Sequence, residues 1–95
     1  MNEPPRAGKA RTFLVERYWP GITEVTFRAA HDRLRRAAET LRREGIDVVH
    51  VRSTLAPGEE VVFSFFRAES TADVAEANRR GGVPFDRIVP VVEAE

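Results

Sequence analysis

His50 is the side chain of this sequence best placed to do chemistry. It lies in the middle of 46–55 (IDVVHVRSTL), a run rich in β-branched residues. An imidazole held on a strand can act as a general base or ligate a divalent transition metal. Glu16 is the carboxylate expected beside it, either holding its tautomer or completing a metal shell with oxygen. Tyr18, Ser64 and Phe66 are expected to line the same pocket, and Arg52 to offer bidentate hydrogen bonds to a carboxylate or phosphate. Arg87 has the same donor geometry, but its place soon after Gly81-Gly82 points to a structural contact with that turn. His31, four residues after Phe27 and three before Leu34, falls on the flank of a helical apolar stripe, as a boundary residue under the sheet edge. The two histidines form no compact HxxxH signature. Asn78, near a helix end, is expected to bond adjoining backbone.

These residues need elements to position them. Segment 12–18 (TFLVERY) alternates and is stopped by Trp19-Pro20-Gly21, which predicts a strand. Thr23 caps a helix over 24–44 whose apolar positions Phe27, Ala30, Leu34, Ala37, Ala38 and Leu41 are spaced three and four apart. Glu24–Arg28, Asp32–Arg36 and Glu39–Arg43 are acid-before-base pairs on its outer face, and Gly45 ends it. The strand at 46–55 is followed by Ala56-Pro57-Gly58-Glu59, which fits a type II turn, and by a strand at 60–67. Ser70 starts a short second helix through Arg80, and Gly81-Gly82 ends it. A last strand over 85–92 contains Pro90, which confines it to an edge or a bulge. The order is β-α-β-β-α-β. It predicts an α+β ferredoxin-like domain, an antiparallel sheet with two helices on one face.

Alternation separates two sets of strand side chains. Phe13, Val15, Val49, Val51, Phe63 and Phe65 are uniformly apolar and are expected to face the helices. Leu14, Glu16, Tyr18, Val48, His50, Arg52, Val62, Ser64 and Phe66 mix apolar and polar groups. A mixed face of this kind suits a sheet partly buried against a second copy of the chain, with a polar-lined cavity between the two sheets. The homodimer interface is expected at Leu14, Val48, Val62 and Phe66.

Ninety-five residues with 42% hydrophobic content suit one domain over 12–95, preceded by a flexible leader over 1–11 that has no apolar core and is not read as a secretory signal. A domain of this size is often marginal alone. The absence of cysteine removes thiolate metal sites, cysteine nucleophiles and disulfides, which makes dimerisation the natural remedy. Fifteen basic residues balance fifteen acidic ones, arguing against a polyanion binder. The third strand is also preceded by Glu59-Glu60 and holds no glycine among its aromatic residues, unlike an RNA-recognition sheet, so no nucleic-acid partner is expected. No run is long and apolar enough for a membrane span, and a cytoplasmic location is the default. GxGxxG, the phosphate-loop GK[ST] and GxSxG are all missing.

Three stretches carry a resemblance: Phe13-Leu14-Val15-Glu16-Arg17 with Pro20-Gly21, then Val49-His50-Val51-Arg52-Ser53, then Arg79-Arg80-Gly81-Gly82-Val83-Pro84-Phe85-Asp86-Arg87-Ile88. Together they resemble a bacterial family of small nickel-binding-type proteins, most of them of unknown function, over nearly all of 12–92. The resemblance implies a ferredoxin-like fold that dimerises as an α/β barrel. It also implies nickel as the bound metal, with His50 on the strand histidine of that type. Three functions stay open: a dimeric binding protein for nickel or a small ligand on the open sheet face, a cofactor-free isomerase or monooxygenase of the same architecture, and an interaction domain without a ligand.

Overall fold

Alternation along the first strand dictates a two-faced ribbon, and the computed structural model, which describes residues 10–95, builds the sheet outward from it. The elements are β1 (Arg11–Tyr18), α1 (Glu24–Arg43), β2 (Val48–Ala56), β3 (Val61–Ala68), α2 (Thr71–Arg80) and β4 (Arg87–Val91). They give the expected β-α-β-β-α-β order. The sheet runs β2-β3-β1-β4 with every neighbouring pair antiparallel. Of the leader expected over 1–11, residues 1–9 lie outside the described residues, and Arg11 already belongs to β1. Pro90 sits in β4, which pairs with β1 alone; an edge strand tolerates the missing N–H.

Helix ends follow from local chemistry. Thr23 and Thr26 form a reciprocal capping box, with Thr23 Oγ1 accepting from the Thr26 amide and Thr26 Oγ1 accepting from the Thr23 amide. Ser70 Oγ accepts from the Asp73 amide to start α2. Of the three ion pairs expected along α1, Glu24–Arg28 closes, at 2.8 Å. The two glycines after α2 have separate duties. Gly82 adopts φ 68 and donates its N–H to Arg79 O, while Val83 N–H reaches Asn78 O, the paired bonds of a Schellman end. Gly81 lies where a Cβ would sit 3.3 Å from Arg33 O, so the absent side chain lets α2 end against α1.

The β2–β3 turn differs from the expected type II. Glu59 N–H bonds Ala56 O and Glu60 N–H bonds Pro57 O, and the left-handed residue is Glu60, at φ 56, rather than Gly58. The left-handed conformation is uncommon outside glycine. Tertiary bonds hold it here: Glu60 O accepts from Trp19 N–H, and the Glu60 carboxylate accepts from Gly21 N–H at 2.7 Å.

The face assignment is right for β1 and reversed for β2 and β3. Phe13 and Val15 are fully buried, as expected. In register with them, Phe13 pairs with Phe66 and Val15 with Ser64. The helix-covered face therefore carries Val48, His50, Val62, Ser64 and Phe66, all buried, while Val49 and Val51 are exposed and Phe63 and Phe65 half-buried on the other side. The interface expected at Val48, Val62 and Phe66 is thus core, and of that set Leu14 alone lies on the open face. The physical reason is that polar side chains under the helices hydrogen-bond one another, so an all-apolar set was not required for burial.

A bulge completes the geometry. Val51 has no partner in the ladder, which steps from His50↔Phe66 to Arg52↔Phe65 and Ser53↔Ser64. Two residues, rather than one, therefore separate His50 from the next inward side chain, Ser53. Replacing Gly82 by alanine should lower the unfolding free energy by about 1 kcal/mol through the positive φ. Gly81→Ala should cost a comparable amount through contact with the α1 backbone. Urea denaturation of both variants checks this; unchanged midpoints would show that the α2 end is not held as described.

Candidate functional site

Between the sheet and the two helices runs a chain of polar side chains from five elements. It begins with Arg17, which projects from the buried face of β1 and is only 3% exposed. Arg17 Nη1 donates to Ser64 Oγ on β3 at 2.9 Å, Nη2 donates to Asn78 Oδ1 on α2, and Nε donates to Pro84 O at 2.8 Å. Ser64 Oγ lies 2.7 Å from Ser53 Oγ, and Ser53 Oγ lies 2.9 Å from His50 Nε2. The bulge at Val51 makes the last contact possible, since it brings His50 and Ser53 to one face. Asn78 also donates to Val74 O one turn back, as expected, and its amide oxygen is free for Arg17.

The chain ends in a pair of imidazoles. His31, projecting from α1, has its ring centroid 4.7 Å from that of His50 with the planes tilted by 58°, and Phe66 backs His50 at 4.9 Å. The Nδ1 atoms of both histidines are buried and lack a hydrogen-bond partner. Unpartnered buried nitrogens are uncommon in folded proteins and call for an explanation. A cleft of about 290 Å³ opens over this end, lined by Phe27, Arg28, His31, Asp32 and Ser53. Burial, together with the fields of the neighbouring His31, Arg17 and Arg35, pushes the His50 imidazole down to about 4. It is therefore neutral at pH 7 and keeps a nitrogen lone pair. Burial likewise lowers the Arg17 guanidinium to about 10, against the opposing field of Asp86.

The six residues expected to share a pocket divide between the two faces. His50, Ser64 and Phe66 lie under the helices. Glu16, Tyr18 and Arg52 lie on the open face: Glu16 pairs with Arg87 at 2.6 Å, Tyr18 is 60% exposed, and the Arg52 guanidinium stacks 4.4 Å from the Phe65 centroid and pairs with Glu93. His50 and Glu16 therefore assemble neither the acid–base dyad nor the metal pair expected of them. Arg87 meets Glu16 across β1 and β4 rather than the glycine turn. Sequence reasoning missed Ser53 and the buried role of Arg17, and it placed His31 at the boundary without its partner. The signal available was that Arg17 shares alternation with Phe13 and Val15, so a buried arginine needed buried acceptors.

Among the described residues, no group of three or more His, Cys, Asp or Glu side chains clusters as a metal site. No helix among them is long and apolar enough to cross a membrane. The family model "Nickel responsive protein SCO4226-like" matches residues 13–91. The crystal structure of SCO4226 from Streptomyces coelicolor A3(2) is similar in fold, with a TM-score of 0.70 and 18% sequence identity over 88% of this chain and 99% of that one. No curated protein matches.

The low proton affinity of His50 has a consequence for stability. An unfolded imidazole binds its proton near pH 6.5 and the folded one near 4, so between these values the unfolded state holds more protons. The stabilising contribution is complete above about pH 6.5 and is lost as pH falls to about 4, a change on the order of 2 kcal/mol once partial solvent screening is allowed for. Urea denaturation from pH 7 to pH 4 should show a steeper loss for the wild type than for His50→Leu. Parallel curves would remove the buried neutral imidazole from the account.

Proposed function

Because the chain belongs to the SCO4226-like family of nickel-responsive proteins, we propose that it is a binding protein for a divalent metal ion, nickel first, anchored by His31 and His50. The observation that carries this reading is the pair of buried Nδ1 atoms without partners in rings 4.7 Å apart. Imidazole nitrogen suits nickel, copper and zinc alike. Low proton affinity at His50 keeps a nitrogen lone pair available throughout the neutral range. The cleft gives an approach from solvent, with the Asp32 side chain on its wall and Arg28 engaged by Glu24. Ser53 stands behind His50 as the outer partner that orients a ligating imidazole. Two protein nitrogens form a partial shell, and water is the ligand available for the remaining positions.

A second reading concerns assembly and rests on the open sheet face. Val49 and Val51 are 38% and 43% exposed there, beside the half-buried Leu14, Phe63 and Phe65. Exposed and half-buried apolar side chains on so small a domain are best covered by the same face of a second copy, giving a two-fold homodimer. This keeps the dimer expected from the sequence but moves its contacts to the opposite side chains of β2 and β3.

Calorimetric titration with nickel should give saturable binding in the micromolar range, weakened at least about tenfold, or ~1.4 kcal/mol, by His31→Ala and by His50→Ala. Glu16→Gln should leave it unchanged. Undiminished binding in the double histidine variant would overturn the site. Light scattering should return the mass of two chains, and Phe65→Glu should return one; a wild-type monomer at micromolar concentration would remove the second reading without touching the first.

A further inference from the structure

Two motifs remain outside the histidine site, and they meet. Arg17-Tyr18-Trp19 ends β1, and Pro84-Phe85-Asp86 leads into β4. Asp86 N–H donates to Glu16 O at 2.9 Å, and the Asp86 carboxylate accepts from Tyr18 N–H through Oδ2. Arg17 Nε donates to Pro84 O. Together these bonds clamp the segments around a cavity of about 130 Å³, lined by Arg17, Tyr18, Trp19, Pro84, Phe85 and Asp86.

The chemistry of the wall is unusual for a packing defect. A guanidinium has five N–H donors, and among the described residues Arg17 finds three acceptors, all of them neutral. No carboxylate of the described residues forms an ion pair with it, although a buried charge left unpaired is costly. Asp86 lines the same cavity without closing that pair. It uses Oδ2 for Tyr18 and leaves Oδ1 without a protein donor among the described residues. A cation and an anion thus bound one small space without touching. The rest of the wall is proline and three aromatic rings, whose faces favour an ammonium group as well as an apolar body.

We infer that this cavity binds a small zwitterion of the α-amino acid class, its carboxylate on Arg17, its ammonium on Asp86, and its side chain among Trp19, Phe85 and Pro84. An anion alone would meet Asp86, and a cation alone would meet Arg17. A molecule carrying both charges a few bonds apart satisfies both. A volume of about 130 Å³ admits a molecule the size of alanine or serine. This assignment shares no ligand with His31 or His50, although Arg17 also anchors the network that ends at His50.

Trp19 is the single tryptophan of the chain, so its fluorescence reports on the cavity directly. Titration of the full chain with L-alanine should give a saturable emission change, with acetate and methylammonium each binding at least about tenfold more weakly. Asp86→Asn keeps an acceptor for Tyr18 N–H but removes the charge. It should weaken alanine by about tenfold or more while leaving acetate equal or tighter. No saturable response to alanine up to about 50 mM, a limit far weaker than a millimolar site, would overturn the inference. So would acetate binding as tightly as alanine, or alanine binding unaffected by Asp86→Asn.

Discussion

The buried guanidinium of Arg17 constrains everything around it. A charge under two helices can persist only if acceptors from several elements converge on it, and here β3 supplies Ser64, α2 supplies Asn78 and the segment before β4 supplies Pro84 O. Each acceptor then needs its own support. Asn78 is fixed by Val74 O, and Ser64 is fixed by Ser53. Ser53 reaches that position because the ladder skips Val51. His50 is held at the end of this sequence of contacts, and its far nitrogen, together with that of His31, is left over. The candidate metal centre is thus the unsatisfied end of a network whose other end is a permanent charge.

That dependence also explains which parts of the structure were legible in the sequence. Element order and ends are local properties, and Thr23, Ser70, Gly45, Gly82 and Pro90 announce them through capping, backbone conformation and the missing N–H. Which face of a strand is buried is not local. β1 reads correctly because Phe13 and Val15 leave little choice. In β2 and β3 the more apolar set, Val49, Val51, Phe63 and Phe65, faces away from the helices. Counting apolar residues fails there, because Ser64 and His50 are compatible with burial once Arg17 and Ser53 pair with them. The bulge at Val51 and the left-handed Glu60 have no sequence signature of their own; the first is set by pairing with β3 and the second by bonds from Trp19 and Gly21 after β1.

The two faces of the sheet consequently have different functional meanings. The covered face holds the histidine pair and its hydrogen-bonded support. The open face holds ion pairs, Glu16–Arg87 and Arg52–Glu93, set among valine and phenylalanine. Such a face suits a second copy better than a buried catalytic site. The chain belongs to a family described as nickel-responsive, and the metal site proposed for it rests on two nitrogen atoms of the covered face.

The most direct measurement is a crystal of the nickel-loaded protein with diffraction data recorded on both sides of the nickel absorption edge. An anomalous peak should lie within coordination distance, roughly 2 Å, of the Nδ1 atoms of His31 and His50. A peak on the open sheet face, or nickel bound with neither histidine in its shell, would contradict the account.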